Sequence, residues 1–238
     1  LSRLRGSLMA AGDGDKGSML AVSAPLATVE QMLAEEKINL VIANRNAPTQ
    51  AVLSGATEQI KRAEAACKSR KLTCKQLPVA AAFHSPLVAD AAAPFLAALA
   101  DIRLGNANVP VYANSSASPY PADSTAIKEL LANQLARPVE FVAQIEAMYN
   151  DGIRTFVEIG PGARLTGLVK AILGDREHNC ITLDSSNGKR NGLIDLARCL
   201  SQLAALGYCI DMTKWDQGFT APAAPAKKPL LVVPLCGA

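Results

Sequence analysis

Short apolar runs rich in β-branched residues alternate with helical patterns between residues 16 and 79, and this alternation constrains the fold most strongly. Period-two alternation predicts strands, whereas apolar residues three and four positions apart predict helices. Strands are predicted at residues 19–23, 39–43, 50–53 and 72–79, with a turn at 44–48 and helices capped by Thr28 and Thr57. The resulting β-α-β-β-α-β order is that of a ferredoxin-like unit.

The pattern after residue 80 predicts a second, larger unit. Helices are predicted at residues 87–99, 125–135, 139–150, 165–172 and 193–206, and strands at 109–113, 155–159 and 181–183. Such alternation favours an α/β domain with a largely parallel sheet. We therefore predict an α/β core formed by residues 1–15 and 80–216, into which a ferredoxin-like subdomain of residues 16–79 is inserted. Residues 217–238, where proline, alanine and lysine dominate, are predicted to be a linker or tail.

Composition and charge argue against several classes of protein. Hydrophobic residues make up 50% of the chain and charged residues 19%, and the net charge of +3 is too small to indicate nucleic-acid binding by itself. No apolar run reaches the length of about 18 residues that a membrane span needs, and the start does not have the pattern of a signal peptide. The six scattered cysteines include no C-x-x-C pair, and His178 near Cys180 does not make a zinc site. We expect a cytoplasmic protein without membrane, nucleic-acid or metal ligands.

His84, one of only two histidines, follows a run of small residues and precedes a predicted helix. Neutral imidazole, with an ordinary pKa of about 6.5, is the usual proton carrier near neutral pH, so His84 is a candidate general base. A structural histidine in the core or at a helix cap is the alternative interpretation. No G-x-S-x-G motif is present, so the chain offers a base without a nucleophile.

Two other features have both a structural and a functional interpretation. Gly160-Pro161-Gly162, between a predicted strand and a predicted helix, is either a tight turn or an anion-binding helix N-terminus. The basic run that includes Lys61, Arg62 and Lys68 is either a solvated helix face or a landing surface for an acidic partner.

Five short blocks carry a resemblance to a known family. They are RGSLM at residues 5–9, ANRNAPTQAVLSG at 43–55, AFHS at 82–85, QL at 134–135 followed by PV at 138–139, and FVEIGPG at 156–162. In their order and spacing, over roughly residues 1–205, the chain resembles the acyltransferase domains of polyketide synthases and polyunsaturated fatty acid synthases and the malonyl-CoA:acyl carrier protein transacylases.

The resemblance implies a hydrolase-like α/β domain with an inserted ferredoxin-like subdomain. It also implies ping-pong transfer of an acyl group, in the leading interpretation malonyl, from coenzyme A to the phosphopantetheine thiol of an acyl carrier protein. Neighbouring synthase domains are then further partners, and no cofactor beyond these thioesters is expected.

The resemblance also implies roles for individual residues. His84 matches the histidine that activates the family's nucleophilic serine, and Gln134 matches the position that orients this histidine. Arg5 matches the arginine that grips the free carboxylate of malonyl substrates, a task suited to a planar guanidinium because it forms two parallel hydrogen bonds. Phe83 resembles the residue found in malonyl-selective members, and Asn44, in the second block, is assigned to substrate binding.

The family's serine elbow and its oxyanion-hole glutamine precede the position matched by Arg5, so the resemblance implies that both lie upstream of Leu1. The first residues have the pattern of a helix already in progress. We therefore expect this sequence to be the C-terminal portion of an acyltransferase domain, with a hydrophobic sheet edge that upstream strands cover.

Three alternative functions stay open at this point. An acyl hydrolase of the same fold would be expected to lack the arginine at position 5. A non-catalytic docking module would have no serine in the upstream segment. A nucleic-acid-binding module would stack bases on exposed aromatic residues, which the strands of the ferredoxin-like unit lack.

Overall fold

A computed structural model describes residues 1–11, 14–105 and 107–215. Its helices are α1 (Ser2–Ala10), α2 (Leu26–Glu35), α3 (Thr57–Ser69), α4 (Ala92–Leu99), α5 (Ser124–Asn133), α6 (Phe141–Asn150), α7 (Arg164–Leu173) and α8 (Gly192–Ala205). Its strands are β1 (Ser18–Ser23), β2 (Val41–Ala47), β3 (Gln50–Gly55), β4 (Thr73–Gln76), β5 (Tyr112–Ala113), β6 (Ser118–Pro119), β7 (Thr155–Pro161) and β8 (Asn179–Asp184). The predicted linker at residues 217–238 lies outside the described residues.

The first four strands form an antiparallel sheet in the order β2-β3-β1-β4. Side chains alternate across a strand, so the sheet has two apolar faces with different neighbours. Leu20 and Leu53 are fully buried on the face that packs against α2 and α3. Met19 and Val52 lie on the opposite face, where Phe83 packs against them. This second face brings the segment before His84 onto the sheet.

β2 is longer than predicted. It continues through Asn44 to Ala47, and the predicted turn at residues 44–48 shrinks to Pro48 and Thr49. The added residues pair with β3, since Arg45 lies opposite Ala51 and Ala47 lies opposite Gln50. On the other edge of β2, Val139 donates its N–H to the Ala43 carbonyl at 2.7 Å, and Arg45 donates its N–H to the Val139 carbonyl at 2.9 Å. The same pairing keeps Val139 out of α6, which starts two residues later than its predicted start at residue 139.

The predicted helix caps at Thr28 and Thr57 are wrong. α2 begins at Leu26 after Pro25, so Thr28 lies inside the helix. α3 begins at Thr57 itself, whose N–H donates to Asp15 Oδ2 at 2.8 Å. The cap of α3 therefore comes from the loop before β1, because a carboxylate at a helix N-terminus satisfies a backbone donor that has no partner within the helix.

The second half of the chain combines helices with a short parallel sheet. β7 and β8 pair in parallel, with Thr155 opposite Asn179. Buried residues of α6 and α7 pack beside β7, and Phe95 and Leu99 of α4 pack against Leu135 after α5. The strand predicted at residues 109–113 is only the two-residue β5, which pairs antiparallel with β6. The described chain is therefore a mixed α/β structure, and a wider parallel sheet stays a prediction.

Candidate active site

His84 lies in the connection between β4 and the 3₁₀ turn Pro86–Ala91, and its backbone is strained. Its φ of 57° is in the left-handed region, which residues other than glycine seldom adopt. Hydrogen bonds hold it there: His84 N–H donates to the Leu135 carbonyl at 3.1 Å, and the Ser85 hydroxyl donates to the Ala82 carbonyl at 2.6 Å. Strain of this kind is maintained at sites whose surroundings impose it, and such positions cluster at functional sites.

Two backbone carbonyls fix the protonation of the His84 ring. Nδ1 lies 3.1 Å from the carbonyl oxygen of Gln134 and 3.1 Å from that of Arg137. A carbonyl oxygen only accepts hydrogen bonds, so Nδ1 carries the proton. The neutral ring then has its lone pair on Nε2, which is the atom that can remove a proton from a substrate or nucleophile.

The turns that follow α5 supply both carbonyls. The carbonyl of Gln134, at the C-cap of α5, has no partner within the helix, and Arg137 precedes a proline, which does not continue a helix. The chain therefore leaves α5 in loose turns after Asn133, with the carbonyls of Gln134 and Arg137 directed at the imidazole. Sequence reasoning missed Arg137, because any residue type can provide a carbonyl. Its only signal was the proline that follows it.

The surroundings of His84 favour the neutral ring. Burial lowers the pKa of His84 below its ordinary value, and the positive charge of Arg5 lowers it further. The hydrogen bonds to the two carbonyls oppose these effects but do not outweigh them. His84 is therefore held in the state in which a histidine acts as a base.

Arg5 joins the same site from α1. Its Nη2 donates to the side-chain oxygen Oε1 of Gln134 at 2.6 Å. Its Nε is buried and has no hydrogen-bond partner among the described residues. Gln134 is itself buried, with 9% of its surface exposed. The structure therefore brings together Arg5, His84 and Gln134, three of the five residues assigned from the sequence.

The other two assigned residues lie at the edge of this group. The Phe83 side chain packs against Met19 and Val52 of the antiparallel sheet, and its carbonyl accepts a hydrogen bond from the buried Ser54 hydroxyl at 2.8 Å. Asn44 lies in β2, where its backbone forms a parallel bridge with Val139. Phe83 thus anchors the loop that carries His84, and Asn44 belongs to the backbone contact between the sheet and the segment after α5.

The turn at Gly160-Pro161-Gly162 does not leave an open anion site. The Glu158 carboxylate accepts hydrogen bonds from the N–H groups of Leu165 and Thr166 at 3.1 and 2.8 Å, at the start of α7. Burial alone would raise the pKa of Glu158, but these backbone hydrogen bonds outweigh it and the pKa lies below its ordinary value. The helix terminus already holds an anion of this chain, which favours the structural interpretation of the motif.

The basic run on α3 is largely engaged by its neighbours. Lys61 pairs with Glu58 at 3.3 Å, and Lys68 pairs with Glu64 at 2.6 Å. Arg62 donates to the Glu36 carbonyl at 2.9 Å. Exposed pairs of this kind are typical of a solvated helix face, and the docking of an acidic partner there stays a prediction.

Other possible sites lie apart from His84 or have no structural support. A groove of about 620 Å³ is lined by apolar residues that include Val109, Val111 and Ile127, but by none of the three central site residues. In the described ranges, no cluster of three or more histidine, cysteine, aspartate or glutamate side chains could hold a metal ion. No helix in those ranges is both long and apolar enough to cross a membrane.

Comparison with known proteins identifies a family. A profile of the acyl transferase domain family matches residues 2–192. The chain is 36% identical over 176 residues to the malonyl CoA-acyl carrier protein transacylase of Bacillus subtilis, covering 71% of this chain and 55% of the Bacillus protein. It is 30% identical over 205 residues to one subunit of the polyunsaturated fatty acid synthase of Thraustochytrium, covering 84% of this chain and 7% of that protein.

A solved structure gives the same result. The crystal structure of malonyl CoA-acyl carrier protein transacylase from Clostridium perfringens matches with a TM-score of 0.74 and 30% identity, covering 86% of this chain and 63% of that chain. The chain spans little more than half the length of the Bacillus transacylase.

Proposed function

Because the chain belongs to the acyl transferase domain family, we propose that it provides the general base and the carboxylate-binding residue of a malonyl transferase. In this proposal a malonyl group moves from coenzyme A to the phosphopantetheine thiol of an acyl carrier protein, through a serine in residues that precede Leu1. The names of two relatives, which contain both malonyl-CoA and acyl carrier protein, support the substrates. The likeness to part of a polyunsaturated fatty acid synthase supports neighbouring synthase domains as partners.

The first half-reaction uses Nε2 of His84. The serine hydroxyl gives its proton to Nε2 as its oxygen bonds to the thioester carbon, because a hydroxyl is a poor nucleophile until a base takes its proton. The carbon–sulfur bond then breaks, and the imidazolium returns the proton to the coenzyme A thiolate. The carbonyls of Gln134 and Arg137 accept hydrogen bonds from Nδ1–H throughout, which holds the ring in place and stabilises its positive charge.

The second half-reaction reverses these roles. The phosphopantetheine thiol gives its proton to Nε2, and its sulfur bonds to the carbonyl carbon of the malonyl-serine ester. The bond from that carbon to the serine oxygen breaks, and the serine recovers its proton from His84. His84 must be neutral at the start of each half-reaction, so its lowered pKa favours proton removal in both.

Arg5 is proposed to bind the free carboxylate of the malonyl group. Arg5 donates to the side chain of Gln134, whose main-chain oxygen holds His84. A guanidinium has five N–H donors, and the Arg5 Nε has no hydrogen-bond partner in the part of the chain that the structure describes. A carboxylate bound there would lie near the reacting carbon, as the short malonyl chain requires. Phe83 and Asn44, at the edge of the group, complete the proposed substrate-binding set.

The observation that carries this proposal is the held orientation of His84, with Nδ1 on two carbonyls and Nε2 without a hydrogen-bond partner among the described residues. The test is malonyl transfer by the full-length protein and its His84→Asn variant, since asparagine tolerates the left-handed backbone better than alanine. The rate is expected to fall at least about 100-fold, within the range for a general base. His178→Asn, which changes the other histidine, is the control and should transfer malonyl at the normal rate. Malonyl transfer by His84→Asn at near the wild-type rate would refute the assignment.

A further inference from the structure

Gln134 makes two contacts in the site through different atoms. Its main-chain oxygen lies 3.1 Å from Nδ1 of His84, and its side-chain oxygen accepts a hydrogen bond from Nη2 of Arg5 at 2.6 Å. The first contact survives any substitution at this position, whereas the second depends on the side chain. A mutation of Gln134 can therefore disturb Arg5 while leaving the hydrogen bond of His84 in place.

Arg5 has little else to hold it. No residue of α1 is fully buried, and the residues that pack against the core, Leu8 and Met9, lie one turn after Arg5. A free arginine side chain has about 2 kcal/mol of rotamer entropy to lose when it is fixed. Within the described part of the chain, the Arg5 Nε has no hydrogen-bond partner. Among the described residues, the Gln134 amide is therefore the hydrogen-bond partner that fixes where the guanidinium points.

The chemistry of the amide matters as much as its position. Glutamine offers a neutral oxygen, so it orients the guanidinium without neutralising its charge. A glutamate in the same place would pair with Arg5 and compete with any carboxylate of a substrate. Burial of Gln134, with 9% of its surface exposed, limits the water that could replace its side-chain oxygen.

We propose that the Gln134 side chain is a positioning residue for Arg5, and that it thereby sets the preference for acyl groups with a free carboxylate. This role is separate from that of the Gln134 main chain, which orients His84. The inference rests on the proposed function, because it concerns how a malonyl group is distinguished from an acetyl group.

The test compares malonyl-CoA with acetyl-CoA as substrates of the full-length protein and three variants. Gln134→Met removes the side-chain oxygen and keeps a similar length. Gln134→Glu keeps the oxygen and adds a charge. Asn133→Met, at the exposed last residue of α5, is the matched control. For each protein, kcat and KM are measured with both thioesters, together with the pH dependence of kcat/KM for acetyl-CoA.

Gln134→Met is expected to lower the ratio of kcat/KM for malonyl-CoA to that for acetyl-CoA about 10- to 100-fold, as for the loss of a hydrogen bond to a charged group. The loss should appear mainly in KM for malonyl-CoA, and kcat/KM for acetyl-CoA should fall much less, because the main-chain oxygen at position 134 still accepts a hydrogen bond from Nδ1 of His84. Gln134→Glu should raise the same KM at least as much, because its carboxylate occupies Arg5. Asn133→Met should behave as the wild type.

The outcomes distinguish the inference from the proposed function. A wild-type protein that does not transfer malonyl in preference to acetyl contradicts the proposed function. If the wild type has that preference, an unchanged ratio in Gln134→Met overturns the inference, and so does an equal loss for both substrates, which would point to His84 instead. Should Gln134→Met fail to fold, Gln134→Glu decides: an unchanged KM for malonyl-CoA overturns the inference.

Discussion

Replacing Arg5 with alanine should separate malonyl recognition from catalysis. Malonyl-CoA and acetyl-CoA differ by one carboxylate, so a preference between them must come from a group that meets that charge. Arg5 lies with His84 and Gln134, and after its contact with Gln134 its Nε has no partner within residues 1–11, 14–105 and 107–215. Alanine removes the whole guanidinium and leaves the main chain of α1 unchanged.

The expected magnitude follows from the partial burial of Arg5. Truncating one partner of a buried, hydrogen-bonded charge pair costs about 2–5 kcal/mol. Arg5 is only half-buried, so solvent screening places the loss in the lower part of that range. At about 1.4 kcal/mol per tenfold change, a loss of about 2–3 kcal/mol is about 30- to 150-fold in kcat/KM for malonyl-CoA. For acetyl-CoA, which has no carboxylate to lose, the expected change is within about twofold.

The assay is acyl transfer by the full-length protein with each thioester as donor. Arg3→Ala, which removes an exposed arginine from the same helix, controls for the general effect of charge and should match the wild type. Arg5→Lys keeps the charge but loses the planar pair of donors, and its loss should lie between those of wild type and Arg5→Ala. Equal losses for malonyl-CoA and acetyl-CoA in Arg5→Ala would show that Arg5 supports the fold and does not recognise the carboxylate.

Two further predictions concern the protonation of His84 and a close approach in the fold. Since burial and the charge of Arg5 lower the pKa of His84, the acid limb of kcat/KM should lie below the ordinary value of about 6.5, because the base works when neutral. In Arg5→Ala, measured with acetyl-CoA, this limb should move to higher pH, and an unmoved limb would contradict the coupling. Gly17→Ala should lower the free energy of unfolding by more than about 1 kcal/mol, because Gly17 has a φ of 73° and an added Cβ would lie 2.4 Å from the Gly55 carbonyl oxygen. Gly6→Ala, in open space on α1, is the control and should be neutral or stabilising in the same denaturant titration.

The parts of the fold that local pattern governs were predictable. The alternation of apolar residues predicted the four strands of the antiparallel sheet, and the two helices α2 and α3 that pack on it, near their observed positions. What failed depends on pairing between segments. The end of β2 pairs with β3 on one edge and with Val139 on the other, and α3 is capped by Asp15. A sequence read in windows contains no sign that Val139 or Asp15 is a partner. The predicted strand at residues 109–113 is reduced to β5, a two-residue strand that pairs with β6.

The candidate site also has parts that the sequence could predict and parts that it could not. His84 could be singled out from the sequence because histidine is the usual proton carrier near neutral pH. The resemblance to a known family added Arg5 and Gln134. The contacts that fix the tautomer of His84 were not predictable, since they are the main-chain oxygens of Gln134 and Arg137, which carry no residue identity. The link between Gln134 and Arg5 was missed because each residue was assigned to a different task. Only their position on α1 and at the end of α5 joins them.

The choice of carbonyls as partners for His84 has a chemical consequence under the proposed function. A carboxylate on Nδ1 would raise the pKa of His84 and make its imidazolium a weaker acid. In the first half-reaction the leaving group is a thiolate, and a thiol, with a pKa of about 8.5, needs far less help from an acid than an amine does. In the second half-reaction the leaving group is the serine oxygen, which must receive its proton from the imidazolium as it departs. Two neutral carbonyls hold the ring and its tautomer while raising the pKa of His84 less than a carboxylate would, and the positive charge of Arg5 lowers it. The imidazolium is then a stronger acid toward the serine oxygen, so a base held by neutral oxygens can share a pocket with an arginine that binds the substrate.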